Sequence, residues 1–188
     1  MNSLFVWNNE EFLSLEKYPF YFFKRRLPIS KKYFVPLLRN RYSRFNYDTA
    51  NSIYYTAQNH KKLGSTHIVV LSQLDILKGA RRDVLFDVCS ILIEQLKGCE
   101  NTHVIFVAFF PLPIKFQEDL IPITRFQQHF RQLVKDVPFV TFKVNRGIPD
   151  PILRMVPEQR QKHEDQFFRE LTQTLIQTDQ VKRTQIRK

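Results

Sequence analysis

The chain has 188 residues, enough for one domain with a full core, and 43% of them are apolar, which excludes global disorder. Its formal charge of +11 at pH 7 favours anionic partners, either nucleic acid or an anionic membrane face. Four glycines, two cysteines without a C-x-x-C and five scattered histidines give no support to Gly-rich phosphate loops, a structural zinc or another metal centre.

In chain order, "SLFVW" (3–7) is a short apolar run that reads as a strand. "YFVPLL" (33–38) reads as a second; Pro36 cannot donate to a ladder, so an edge position or a strand end is expected. In 48–62, Ala50, Ile53, Tyr54 and Ala57 recur at helical spacing, with Asp48 as the predicted N-cap and Gly64 as the stop. "HIVVL" (67–71) is a predicted strand buried on both faces. Ser72-Gln73-Leu74-Asp75 follows as a polar loop in which Asp75 caps or braces the backbone. A helix over 81–97 carries the stripe Val84, Leu85, Val88, Ile91, Leu92 and Leu96, with Cys89 as a small core residue and Gly98 at its end. "HVIFVAFF" (103–110) is a strand, and 124–135 a helix with Phe126, Phe130, Leu133 and Val134 ahead of Pro138. "FVTFKV" (139–144) is the last strand. The last helix, 157–177, starts at Pro157 and carries Phe167, Phe168, Leu171 and Leu175. His67 and His103 read as ordinary polar residues at strand entrances, and His163 as a solvent-facing residue of the last helix. The abundance of phenylalanine predicts a core packed largely with that residue.

Strand and helix alternate, which predicts an open, doubly wound α/β domain over 1–178 with a mostly parallel, five-stranded sheet, and a basic, frayed tail over 179–188. Ligands of such sheets sit outside the carboxyl ends of the strands, here Trp7-Asn8-Asn9, Ser72 to Asp75, Pro111-Leu112-Pro113 and Asn145 to Asp150. No apolar run approaches the roughly 18 residues of a membrane span. The first residues, "MNSLFVWNNEEFLSLEK", lack the basic n-region of a signal peptide. Two cysteines without a C-x-x-C make a reducing, cytoplasmic setting the expectation.

Three stretches, "FKRRLPISKKYFVPLLR", "HIVVLSQLDILKG" and "VPFVTFKVNRGIPDPILR", stand in this order along nearly the whole chain. Together they resemble the OSK domain family of germ-plasm organisers, and more broadly the SGNH (GDSL-type) hydrolases. The resemblance implies an SGNH-like three-layer sandwich without hydrolase chemistry and without a cofactor. It implies binding to messenger RNA of the oskar/nanos type through 3′ untranslated regions, assembly with germ-plasm ribonucleoprotein components, and residence in cytoplasmic germ-plasm granules.

The chemistry can be checked residue by residue. An SGNH hydrolase needs a Ser after the first strand, a Gly and an Asn as oxyanion donors, and a His three residues after an Asp. The loop after the first strand reads Trp7-Asn8-Asn9-Glu10-Glu11, with no Ser, Cys or Thr. Ser72 and Leu74 stand where the family places its donors, and a Leu side chain cannot donate. Asp150 is followed at that spacing by Leu153, and His163 is preceded by Arg160. A coupled unit is broken, so the expectation is a non-enzymatic chain with neither catalytic residues nor a metal. An esterase or lipase with a displaced nucleophile, Ser14 or Ser72, is one alternative. A protein-interaction module for an acidic partner is another.

From Lys24 to Arg44 the chain holds eight Lys or Arg and no acid. Such a cluster repels itself, and it suits phosphates, with Arg adding bidentate geometry. Tyr21, Phe22, Phe23, Tyr33, Phe34, Tyr42 and Phe45 interleave with it or flank it; bases can stack on aromatics, but these read rather as core residues turned inward. The expected RNA contacts are Lys24, Arg25, Arg26, Lys31, Lys32, Arg39 and Arg41. Arg154, with Arg125, Arg146 and Arg160, is placed around the ancestral cleft. Lys182, Arg183, Arg187 and Lys188 read as a solvated tail. No basic amphipathic helix with a clean apolar face is evident, so no membrane partner is expected.

Overall fold

A computed structural model describes residues 3–9, 32–37, 45–71, 73–77, 79–108, 117–144, 162, 165–166 and 169–178. Its strands are β1 (Ser3–Asn9), β2 (Lys32–Leu37), β3 (Ser65–Leu71), β4 (Thr102–Ala108) and β5 (Val140–Val144). They form one sheet in the order β2-β1-β3-β4-β5, and every pairing is parallel. The helices are α1 (Tyr47–Asn59), α2 (Gln73–Leu77), α3 (Gly79–Leu96) and α4 (Gln117–Val134), with a further helical run at 169–178. The expected α/β class with a parallel sheet is what the chain forms. No described helix is long and apolar enough to cross a membrane.

Parallel strands covered on both faces become continuous apolar runs. Accordingly, every residue of β3 is buried, and all of β4 except His103. β2 stands at the sheet's edge, with Pro36 opposite Asn8, as the missing N–H of a proline requires. One face of the sheet, with Phe5, Trp7, Val69, Leu71, Val104 and Phe106, packs on α1, α3 and α4. Phenylalanine fills it: the Phe130 ring lies 5.1 Å from that of Phe106, 5.4 Å from Phe126 and 4.5 Å from Phe142. Leu171 and Leu175 of the 169–178 run are also buried.

Several expectations need correction. The N-cap of α1 is Asn46, whose side chain accepts the Thr49 N–H at 3.0 Å; Asp48 lies in the first turn. Both residues suit a cap, and the helix simply begins two residues earlier. Gly64 (φ 77°) turns the chain into β3, and its N–H donates to the His60 carbonyl at 2.8 Å. In α3 the buried stripe is Leu85, Val88, Cys89, Leu92, Ile93 and Leu96, whereas Val84 and Ile91 are 47% and 41% exposed. Val84 and Ile91 share their face with Asp83, Asp87 and Glu94, all exposed, so the charges mark the outer side that the apolar spacing left open. Helix α4 starts at Gln117 rather than 124 and runs through Pro122. A proline inside a helix costs about 3 kcal/mol. Behind it Ile123, Phe126 and Phe130 are buried, each burial being worth about 1.5–3 kcal/mol, which offsets the cost. Pro157, Phe167, Phe168 and His163 lie outside the described residues.

Candidate functional site

The chain leaves β1 toward β2 on one side and returns through β3, β4 and β5 on the other. Sheets of this order bind ligands in the crevice at that reversal, outside the carboxyl ends of the two central strands. Here the crevice lies beyond Asn9 of β1 and Leu71 of β3, brought side by side by parallel pairing up to Trp7 and Val69. The carboxyl-terminal parts of β1 and β3 thus lie side by side, with Asn8 following the last such pair. Ser72, Pro111–Pro113 and 145–154 lie outside the described residues.

After β3 the structure has the short helix α2 where a loop was expected, and Asp75 within it is buried at 4% exposure. The Arg82 guanidinium reaches back from α3 and donates to the Ile76 carbonyl at 3.2 Å, bracing the α2–α3 junction.

His67 is the largest departure from expectation. β3 starts at Ser65, so His67 lies inside the strand rather than at its entrance, and it is completely buried. Trp7 Nε1–H donates to His67 Nδ1 at 3.1 Å, and His67 Nε2 bonds Ser65 Oγ at 2.9 Å. An indole N–H can only donate, so Nδ1 is the lone-pair nitrogen and the Nε2–H donates to Ser65. The neutral ring stacks on Phe5 with centroids 5.1 Å apart and planes 11° apart. Both ring nitrogens are occupied by scaffold groups, which makes His67 a tie between β1 and β3. The sequence carried a signal for this: Ser65 and His67 lie on the same strand face as Val69 and Leu71, continuing inward with polar residues.

Of the residues expected to contact RNA, Lys32 opens β2, opposite Leu4 of β1. Lys24, Arg25, Arg26, Lys31, Arg39, Arg41 and Arg154 lie outside the described residues. β2 nevertheless divides the basic run in sequence: five bases come up to its first residue, and Arg39, Arg41 and Arg44 follow its last. Arg125 is exposed on α4.

A cavity of about 430 Å³ opens at the opposite edge of the sheet, between the amino ends of β4 and β5 and the 169–178 run. Thr102, His103, Phe139, Thr141 and Gln177 line it, and no charged residue does among the described residues. His103 Nε2 and Thr141 Oγ1 share a hydrogen bond of 2.9 Å. Cys99 borders the cavity, with Gln58 Nε2 donating to its Sγ at 3.1 Å. Burial pushes the Cys99 thiol up, while the Gln58 hydrogen bond and the Lys61 charge pull it down; burial pushes the enclosed Cys89 thiol well above its ordinary value. The cavity is assembled from three distant segments, so no local pattern announced it. Among the described residues no group of three or more His, Cys, Asp or Glu could hold a metal ion.

No family model, curated protein or solved structure matches the chain.

Proposed function

We propose that the chain is a non-enzymatic RNA-binding domain of the SGNH-like, OSK type, with germ-plasm messenger RNA as its partner. The observation that carries the reading is the run Lys24–Arg44, eight bases without an acid in a chain of net charge +11. A single-sign run has no internal partner, and phosphate is the counter-charge it suits. Its position in the chain supports this: in sequence the run brackets the edge strand β2. The sheet order β2-β1-β3-β4-β5 is compatible with an SGNH-like three-layer sandwich. The absence of a Ser, Cys or Thr in Trp7-Asn8-Asn9-Glu10-Glu11 supports a fold kept without its hydrolytic chemistry.

Ultraviolet crosslinking to cellular RNA, followed by peptide mapping, tests the reading. Crosslinked peptides from 21–45 are expected. Crosslinks confined to the tail beyond residue 178 would overturn the assignment of the binding surface.

A further inference from the structure

We infer that the cavity at the amino ends of β4 and β5 binds a nucleobase, either as a free nucleoside or as an unpaired base of a bound RNA strand; the second case rests on the RNA-binding reading above.

Its size suits a small organic ligand, since such sites run from about 300 to 1,000 Å³. Its chemistry narrows the class. Among the described residues the walls hold no Lys or Arg, although the chain carries a net charge of +11. They hold instead the bonded pair His103–Thr141, the Thr174 hydroxyl, which donates to the Glu170 carbonyl at 2.9 Å and can still accept, and the amide of Gln177, beside the flat ring of Phe139. Hydrogen-bonding groups of both senses next to an aromatic face are what an uncharged heterocycle requires. A second observation points the same way. Thr102, in the wall and only 5% exposed, has a side-chain oxygen without a hydrogen-bond partner. A buried hydroxyl left in that state is costly, and a polar ligand would relieve it.

The sheet supplies the link to the basic run. Lys32 pairs with Leu4, Leu4 with Thr66, and Thr66 with His103, so these four residues form one row across parallel strands. Three strand spacings separate the backbone of Lys32 from that of His103, about 14 Å. Lys32, the first residue of β2, and the cavity thus lie at the same, amino end of the sheet, the end opposite the ancestral cleft. A short single strand can lay its phosphates on the first and turn a base into the second.

Nuclear magnetic resonance titration of the full chain tests this, with uridine, cytidine, adenosine and guanosine as phosphate-free probes and a short single-stranded RNA in parallel. At least one nucleoside should shift the amides of Asn101–His103 and Thr141, and Gln177→Ala should weaken it roughly fivefold, as for the loss of one neutral hydrogen bond. Thr174→Phe, which fills the cavity from the helix side, should abolish it. If the nucleoside and the RNA both perturb these amides, the source is the RNA strand. If the nucleoside binds while RNA does not, the cavity assignment stands with a free nucleoside as ligand, and the RNA-binding reading falls. If no nucleoside perturbs these amides, and Gln177→Ala and Thr174→Phe leave RNA affinity unchanged, the cavity assignment is overturned whatever becomes of RNA binding.

Discussion

Trp7 and His67 show what single side chains contribute at the centre of this sheet. Each is buried, and each satisfies a polar atom of the other. His67→Phe keeps an aromatic ring beside Phe5 but leaves the Trp7 N–H without this acceptor, a loss expected to cost about 1–3 kcal/mol. Trp7→Phe removes the same bond from the other end. The double variant should therefore be more stable than the sum of the single changes, by about 0.5 kcal/mol or more. Urea unfolding of all four proteins measures this, and strict additivity would deny the tie between β1 and β3. Cys89 makes a prediction of opposite character. Burial holds its thiol protonated above the ordinary range, whereas the unfolded thiol titrates near pH 8.5. Above that pH the folded state binds more protons than the unfolded one, so stability must fall as pH rises. Cys89→Ala removes the linkage. Its stability deficit relative to the parent should shrink between about pH 8 and 10, and a constant deficit would contradict the burial of the thiol.

At the scale of the elements, the turn from α3 into β4 depends on one conformation. Asn101 stands at φ 59°, and its carbonyl accepts the Ser65 N–H at 3.1 Å, joining the starts of β3 and β4. Asparagine and glycine enter the left-handed region readily; alanine pays roughly 1 kcal/mol or more there. Asn101→Ala should lower the unfolding midpoint clearly and Asn101→Gly hardly at all. Equal losses from both would place the side chain, rather than the backbone, in control. The elements themselves were legible in the sequence wherever apolar residues ran without interruption, as in "HIVVL" and "HVIFVA". They were misjudged where two physical preferences compete. In α3 two neighbouring stripes both satisfy helical spacing, and only tertiary packing selects Leu85, Cys89 and Ile93 over Val84 and Ile91. In α4 the apolar spacing marked only 124–135, and the structure extends the helix back through Pro122 to Gln117. His67 was read as a polar end-residue because Ser65 and Thr66, polar yet buried, concealed the true start of β3. The cavity was illegible because it exists only once 99–103, 138–141 and 174–178 have been brought together.

For the whole molecule the central fact is a charge of +11 with eight bases gathered between Lys24 and Arg44. Net charge alone draws any polyanion, weakly and without preference for one part of the surface. An organised phosphate site differs in that its loss changes the number of counterions released. The decisive measurement is RNA affinity across a salt series for two triple variants of the full chain, with thermal unfolding as the control. One variant combines Arg25→Glu, Arg26→Glu and Lys31→Glu; the other combines Lys182→Glu, Arg183→Glu and Arg187→Glu. Each single-strand phosphate contact contributes about 0.7 to the slope of log K against log salt, so the first variant should flatten it by roughly 2. The tail variant should change it less, because the binding surface is assigned to 24–44. Both should unfold near the parent's temperature if the loss is one of binding alone. A larger loss of affinity and slope in the tail variant than in the 25/26/31 variant would contradict the account.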